Sequence, residues 1–536
     1  MSDIQELIQQ GDHLFSKRDN LLSFWDEVFR NFDPSNANFI SCNTLGEDYA
    51  GDLTTSHPLL VARDLQDSLG AMRPAGKPWF EMEVSDLNDH EGRQWLEWAS
   101  KTQRRAMYDR AAQFIVAAKD ADNNYSLAGQ AVVTVETMPD RSSLLYRSWH
   151  LRDVAWSDGL DGATECVHQK LKMSAWHMAR TFGEDKIHPK VRECLAKGKN
   201  PYHEFNLRRV VVPNDMYHGE TKFRTRLVDI YIDVDNEHRI EVTGQRISPF
   251  VIPRWKRIRG SQYAISPAVL AALPEARLLQ AMTYTLLQAG EKAADPPMIA
   301  THEAIRSELD LMAGGVTWIR EDYDERTGAA LRSLDIDRSG MPLGLELQQR
   351  SEALLSSAFY LDKFRPPVRT KEMTAFEFSK LWDDYMRNLG QLVEPYEADF
   401  NGGLAERTFD VLMFNGGFGP AESIPESLRG ESIEFKFKSP TRDAEEKALG
   451  QVFVEGAALV REAMALDPSS GTIPNAVEAL RGALKGIGWQ EAWMRSREDS
   501  AAMAANEAQQ AATEKMMGMM QQGAATAVDL SKAAAT

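Results

Sequence analysis

Apolar residues recur every three to four positions over much of this chain, which is the spacing of amphipathic helices. Ser266-Pro267 and Ser439-Pro440 each place an N-cap residue before a proline at the first helical position. Pro274 marks a potential break in the helix that follows the first of these pairs. Helices are predicted over residues 1–30, 59–72, 90–119, 267–295, 345–361 and 444–465.

Strand signals are clearest over 132–136, 144–149 and 166–173. The clearest hairpin spans 226–247 and turns at Asn236-Glu237. Its first strand alternates Val228, Ile230 and Ile232 with polar neighbours, which predicts one apolar face and one solvated face. Together the two patterns predict an α+β fold that is predominantly helical.

Composition narrows the class of protein. The chain has 536 residues, enough for two to four domains, and its 61 Lys and Arg against 79 Asp and Glu give a net charge of −18. Such an acidic chain is not expected to coat nucleic acid. The sequence has no run of eighteen apolar residues and no secretory signal pattern, so no membrane association is expected. Three widely spaced cysteines predict reduced thiols rather than a disulfide framework.

Against this acidic background, a short basic segment follows the helix predicted at 345–361. Asp362 is its one anion, and Pro366-Pro367 restricts its backbone. Thr374 and Glu377 then form a capping box that starts another helix. The four cations of this segment, called the basic loop below, are Lys363, Arg365, Arg369 and Lys371.

A second basic cluster precedes Ser266 and contains Arg254, Lys256, Arg257 and Arg259, with Trp255 between the first two. It is a candidate for DNA contact or for bridging acidic neighbours between subunits. The second role is favoured, because basic edges complement acidic partners.

Common catalytic signatures are absent from the sequence. It contains no P-loop, no H-E-x-x-H, no G-x-S-x-G and no C-x-x-C, so no catalytic residue, metal site or cofactor is predicted. Residues 120–124 imitate half of a calcium loop, but Tyr125 and Ala131 stand where glycine and glutamate are needed, so a turn after a helix is expected. One enzymatic alternative stays open. Asp229, Asp233 and Asp235 could form the carboxylate set of a metal-dependent nuclease or phosphodiesterase.

Several segments resemble the portal proteins of short-tailed double-stranded-DNA bacteriophages. The most specific are Pro253–Gly260 and Glu291–Pro297, and the resemblance continues through Leu345–Phe400, which includes Gln348-Gln-Arg-Ser-Glu352. Leu65–Phe80 and Trp149–Val191 match in a weaker way. The similarity rests on the order of elements and on scattered motifs from about residue 59 to 499.

The resemblance implies a wing, stem, clip and crown architecture that assembles into a ring. The implied parts are a wing at 1–262, a first stem helix at 263–297, a clip at 298–342, a second stem helix at 343–361, a channel loop at 362–373, returning wing helices at 374–438, and a crown with an Ala-, Met- and Gln-rich tail at 439–536. For the tail, a crown helix packed against its copies, a disordered segment and a membrane-active segment all remain open.

The function that the resemblance implies is that of a non-enzymatic DNA conduit in the virion. It also implies that Lys363, Arg365, Arg369 and Lys371 of the basic loop contact the DNA. A portal forms a ring, normally a dodecamer, at one capsid vertex, and double-stranded DNA passes through it without sequence preference during packaging and ejection. The implied partners are the terminase packaging motor, the major capsid and scaffolding proteins and a tail adaptor, with assembly in the host cytoplasm. A tail adaptor is a further structural alternative, although such proteins are shorter and lack the order stem, clip, stem.

Overall fold

The structure is a computed structural model, and the ranges that it describes are not continuous. It describes residues 3–40, 43–84, 89–140, 143–219, 223–294, 296, 298–300, 331–333, 340–365, 367, 375–437, 440–467, 473, 475–490, 493–497, 499–507, 509–510, 512–513 and 516–517.

Helices dominate these ranges. They are α1 (Asp3–Ser16), α2 (Asp19–Phe32), α3 (His57–Gly70), α4 (His90–Met107), α5 (Phe114–Ala128), α6 (Ala175–Phe182), α7 (Pro189–Leu195), α8 (Pro267–Ala294), α9 (Gly340–Ala358), α10 (Leu361–Phe364), α11 (Ala375–Tyr396), α12 (Gly402–Phe414), α13 (Pro440–Leu466) and α14 (Ala476–Gly486). A π-helical turn, Glu397–Asn401, joins α11 to α12.

The strands are shorter and lie mainly in the first half of the chain. They are β1 (Phe80–Glu83), β2 (Val133–Thr137), β3 (Leu144–Ser148), β4 (Val154–Asp158), β5 (Thr164–Ser174), β6 (Glu204–Pro213), β7 (Leu227–Asp233), β8 (His238–Gln245), β9 (Phe250–Val251), β10 (Lys256–Arg257), β11 (Ala264–Ile265), β12 (Met298–Ala300), β13 (Leu331–Ser333) and β14 (Glu434–Phe437). The α+β class predicted from the sequence is confirmed.

The chain divides into two compact units, each built from separated segments. Unit 1 contains residues 1–73 and 109–407, and unit 2 contains 74–108 and 408–536. In unit 2, β1 pairs antiparallel with β14, and the ring of Trp79 stacks on that of Phe437 with centroids 6.3 Å apart. The longest helix of unit 2 is α13, which packs against α14.

Two antiparallel sheets organise unit 1. One has the strand order β4-β5-β6-β7-β8 and the other the order β3-β2-β9. Helix α1 covers the five-stranded sheet, and its Leu7 packs in a core with Val210 and Ile230. On the same sheet, α6 and α7 form a second core that includes Met178 and Val191.

The hairpin predicted at 226–247 is present as β7 and β8, but its expected solvated face is wrong. Asp229 and Asp233 are both buried, because the five-stranded sheet is covered on both faces. Asp229 accepts hydrogen bonds from Arg209 on β6, with Nε 3.0 Å and Nη2 2.6 Å from its carboxylate oxygens. Asp233 accepts from the side chain of Asn236 at 2.8 Å and so stabilises the turn.

Predictions for three further segments also need correction. The helix predicted at 1–30 is two helices, α1 and α2. The helix predicted at 90–119 is two helices, α4 and α5, and residues 120–124 lie inside α5 rather than in a turn. Asp122 is buried there and pairs with Arg73, while the Tyr396 hydroxyl donates to the same carboxylate. A helix continues through these residues because their polar side chains find partners in the core.

Helices α8 and α9 form a long hairpin. Helix α8 continues through Pro274 and spans about 42 Å. One face of its first half is buried, up to Leu279, near the point where Gln280 Oε1 accepts from the Thr54 backbone at 2.8 Å. Gly344 lets the two helices approach, since a Cβ there would lie 2.8 Å from Leu286 Cδ2. Among the helices within the described ranges, none has the length and apolar character needed to cross a bilayer.

Candidate nucleic-acid interface

The basic loop begins where the chain leaves α9. The predicted helix 345–361 is instead α9, which ends at Ala358, and Tyr360 adopts a left-handed backbone with φ 59° before α10. Phe359 anchors this corner, because its buried ring meets the ring of Phe32 edge-on at 5.2 Å. Leu361 is buried as well, so the corner is fixed to the core.

Lys363 and Arg365 are exposed just beyond this corner. The Lys363 backbone N–H donates to the Tyr360 carbonyl at 2.9 Å, and its Nζ lies 5.1 Å from the centroid of the Tyr360 ring. Arg369 and Lys371, with Thr374 of the capping box, lie outside the described residues. Glu377 is exposed in the first turn of α11, where the chain is described again. The structure therefore locates the first two of the four predicted loop cations.

Trp255 of the second basic cluster lies beside this corner. Its ring is 6.1 Å from that of Tyr360 and stacks on buried Tyr125 at 5.3 Å and 6°. Its backbone N–H donates to the Gly129 carbonyl at 2.8 Å. Gly129 ends α5 with φ 79°, and a Cβ there would lie 2.2 Å from the Ile265 backbone. The structure thus brings together two basic segments that are about one hundred residues apart in sequence.

The second basic cluster is divided between the interior and the surface. Arg254 is buried, pairs with Asp158 and donates to the carbonyls of Gln262 and Gly162 at 3.1 Å. Arg257 is exposed, although its Nη1 donates to the same Gly162 carbonyl at 2.9 Å. Lys256 and Arg259 are exposed. Arg254 therefore holds the segment in place, whereas the other three cations face solvent.

Exposed cations of this kind can contact phosphates but provide no base-specific readout. Around them, the described residues hold no group of three or more His, Cys, Asp or Glu side chains placed to bind a metal ion. The carboxylates of the nuclease alternative have structural partners instead, since Asp229 binds Arg209, Asp233 binds Asn236 and Asp235 accepts from the Asn206 backbone at 2.8 Å.

Sequence reasoning missed a second surface, which lies along the α8/α9 hairpin. Apolar side chains are exposed there on both helices, and those of Leu343, Leu345 and Leu347 are 60%, 55% and 44% exposed. A signal existed, because leucines at every second position lie on more than one face of a helix. The apolar residues of α9 therefore need packing partners on more than one face, and α8 packs against only one of these faces. The apolar stem surface consists of Leu278, Tyr284, Leu287, Leu343, Leu345, Leu347 and Leu354.

Comparison with known proteins identifies a family. A family model described as bacteriophage head to tail connecting protein matches residues 4–468. The chain is 21% identical over 454 residues to a protein of Bordetella phage BPP-1 named "Probable portal protein", covering 82% of this chain and 79% of that one. It is 19% identical over 464 residues to the portal protein of Salmonella phage epsilon15, covering 83% and 80%.

Similar chains are also found among solved structures, at low overall similarity. One belongs to the virion of a native gene transfer agent particle, with TM-score 0.35 and 12% identity over 80% of this chain and 90% of that chain. Another belongs to the neck of an empty gene transfer agent particle, with TM-score 0.37 and 11% identity over 81% and 91%.

Proposed function

Because the chain belongs to the bacteriophage head-to-tail connecting protein family, we propose that it forms the ring-shaped portal at one capsid vertex. Double-stranded DNA passes through this ring during packaging and ejection. The protein is a structural component of the virion, and its ring, a dodecamer in this proposal, is assembled in the host cytoplasm. It binds the terminase motor, the capsid and scaffolding proteins and the tail adaptor.

The observation that carries this proposal is the α8/α9 hairpin with its apolar stem surface. Eight large apolar side chains are exposed on the described parts of its two helices in a single chain, and seven of them form the apolar stem surface. Extensive exposed apolar surface marks a protein contact. A ring covers both flanks of every hairpin with neighbouring hairpins, which satisfies the apolar residues on more than one face of α9. In this assembly, residues 263–297 and 343–361 are the stem, 298–342 the clip and 362–373 the channel loop.

Charge distribution supports passage of DNA rather than tight binding. The chain carries a net charge of −18, whereas the basic loop has four cations and Asp362 as its one anion. An acidic wall repels phosphates and lets the duplex slide, while a few cations from every subunit keep it centred. Such contacts are screened by salt and independent of sequence. In this proposal Lys363, Arg365, Arg369 and Lys371 line the narrowest part of the channel.

Negative-stain electron microscopy of the purified protein, combined with native mass spectrometry, tests the assembly. We expect rings with a central hole wide enough for a DNA duplex and a mass that gives the number of subunits. Monomers or compact dimers at every salt concentration tested would contradict the proposal. Cleavage of plasmid DNA with Mg²⁺ or Mn²⁺, lost on Asp233→Ala, would instead support the nuclease alternative.

The role of the basic loop is tested by the double variant Arg365→Ala/Arg369→Ala. We expect rings to form normally, and particles to package or retain several times less DNA, because half of the loop cations are removed. The measurement is the DNA content of particles made with the variant at two salt concentrations. Arg224→Ala/Arg226→Ala removes the same charge from two arginines exposed just before β7 and serves as the control. Normal DNA content in the loop variant would remove the assigned role.

A further inference from the structure

The first end of the basic loop is connected to the core of unit 1 by a column of aromatic rings. Phe400 and Tyr125 are nearly parallel at 6.4 Å, Tyr125 and Trp255 stack at 5.3 Å, and Trp255 and Tyr360 lie 6.1 Å apart. The ammonium of Lys363 lies over the outermost ring. We call Phe400, Tyr125, Trp255 and Tyr360 the aromatic column.

Tyr360 is in an unusual backbone conformation for its type. At φ 59° a bulky side chain is disfavoured, whereas glycine and asparagine tolerate this region. Such a conformation persists only where surrounding contacts stabilise it. Here the contacts are the ring of Trp255 on one side and the Lys363 ammonium on the other. Burial also raises the pKa of the Tyr360 phenol, which keeps it neutral.

The helix that follows the basic loop also contacts the aromatic column, at Tyr125. Helix α11, which follows the loop, ends at Tyr396, and the Tyr396 ring meets that of Tyr125 edge-on at 5.2 Å. Tyr396 is held in turn by Arg73 and Asp122, which are both buried. The position of Tyr125 therefore sets the geometry of the chain both before and after the loop.

We propose that Tyr360 is the positioning residue of the basic loop. Its ring, held against Trp255, fixes the left-handed corner and thereby the direction in which Lys363 and Arg365 leave the stem. This inference rests on the proposed function, because the loop matters only if its cations meet DNA. In this proposal the aromatic ring of Tyr360 fixes the corner. Neither its hydroxyl nor its backbone conformation alone is sufficient.

Three variants separate the ring from the backbone. Tyr360→Phe keeps the ring and loses the hydroxyl, while Tyr360→Asn keeps a residue that tolerates the left-handed corner and loses the ring. Trp255→Leu removes the partner ring and keeps an apolar side chain. The control is Trp149→Leu, since Trp149 is also half-buried in unit 1 and its Nε1 donates to the Thr134 hydroxyl at 2.9 Å, away from the column.

The readout is the rate of trypsin cleavage after Lys363 in the purified, full-length protein, followed by mass spectrometry. Lys363 lies in the single turn α10, and cleavage there requires this turn to open. Arg365 precedes Pro366 and is not a competing trypsin site. We expect cleavage about tenfold faster in Tyr360→Asn and Trp255→Leu, because a ring contact of this kind is lost in each, and unchanged rates in Tyr360→Phe and Trp149→Leu. Equal rates in all four variants would overturn the inference.

DNA content of particles distinguishes this inference from the function on which it rests. If the positioning role holds, Tyr360→Asn lowers the DNA content as Arg365→Ala/Arg369→Ala does, and Tyr360→Phe does not. Faster cleavage with normal DNA content in both Tyr360→Asn and the arginine variant would overturn the role of the loop in DNA contact. A third outcome is cleavage of Tyr360→Asn at the wild-type rate, with lowered DNA content only in the arginine variant. It would support the contact of the basic loop with DNA and overturn the positioning role of Tyr360.

Discussion

A neutral histidine lies beside an arginine under the first helix of unit 1. His168 on β5 is fully buried, and its Nε2 lies 3.3 Å from Oε1 of Gln10 on α1. Burial lowers the pKa of His168 to about 3, and the charge of Arg208 acts in the same direction. Arg208 itself is engaged, since it donates to Asp12 at 2.9 Å. Gly11 is needed at this contact, because a Cβ there would lie 2.7 Å from both His168 and Arg208.

We expect unit 1 to lose about 2 kcal/mol of stability from His168 between pH 7 and pH 5. The pKa in the folded chain is about 3, below the ordinary 6.5 of an unfolded chain, so the unfolded chain takes up the proton first. Stability that is complete above pH 6.5 is therefore lost as the pH falls toward 3. Denaturant titrations at the two pH values measure the loss.

The matched comparison is His168→Gln against His177→Gln, which replaces an exposed histidine on α6. The difference in unfolding free energy between the two pH values should shrink by about 2 kcal/mol in the first variant only. An undiminished acid sensitivity in His168→Gln would assign the effect to other groups.

Single residues also show where sequence reasoning stops. Alternation over 228–232 predicted the β7/β8 hairpin correctly, because the period of side chains in a strand is two. It did not predict that Asp229 is buried, because burial of the polar face depends on what covers the sheet. The partner of Asp229 is Arg209 on the adjacent strand β6, and Arg209 also pairs with Glu136 on β2, which lies 93 positions before Asp229 in sequence.

The α8/α9 hairpin is the element whose exposed apolar surface we expect to be buried against another chain. Helices α8 and α9 pack against each other, and both keep large apolar side chains exposed. Serine at a position that is already exposed in the single chain leaves the chain's own core intact. The effect of such a substitution therefore reports the contact between chains.

We expect Leu345→Ser/Leu347→Ser to weaken self-association at least tenfold, because burial of one leucine contributes about 1.5–3 kcal/mol. Sedimentation velocity over a dilution series measures the change. The control, Leu45→Ser/Leu160→Ser, replaces leucines that are exposed in turns of unit 1. Rings that persist equally on dilution in both double variants would exclude the two stem leucines from subunit contacts.

Helix starts marked by a cap and a proline were more predictable than the bounds of α9, whose start was also misplaced, at 345 instead of Gly340. Ser266-Pro267 correctly predicted the start of α8, and the Ser266 hydroxyl accepts from the Val269 N–H at 3.3 Å. The end of α9 was misplaced by three residues, because it depends on the left-handed Tyr360 and its contact with Trp255. A helix cap depends on adjacent residues and can be predicted from them, whereas the corner at Tyr360 depends on a tertiary contact.

At the scale of the whole molecule, the chain leaves unit 1 and returns to it. Residues 74–108 belong to unit 2 although they lie between two segments of unit 1. No local pattern predicted this, since β1 finds its partner β14 only in the last quarter of the chain. Helical and strand periodicities identify elements, and neither reports which distant segments share a core.

Deletion of residues 500–536 should leave assembly unchanged. Residues 501–507 are helical and fully on the surface, whereas the apolar stem surface lies in unit 1. Native mass spectrometry of the truncated protein should give the same number of subunits as the full chain. Loss of rings on truncation, with unit 1 still folded by circular dichroism, would place essential assembly contacts in the tail.

The pairing of β1 with β14 also has a consequence for synthesis. About 350 residues separate the two strands, so at roughly 5–20 residues per second the ribosome needs about 20–70 s between them. Throughout that interval Phe80 and its neighbour Trp79, both buried in the finished protein, lie at the start of a strand that still lacks β14. The nascent chain is therefore a substrate for chaperones during most of its translation, and the yield of soluble protein should depend on how fast it is translated.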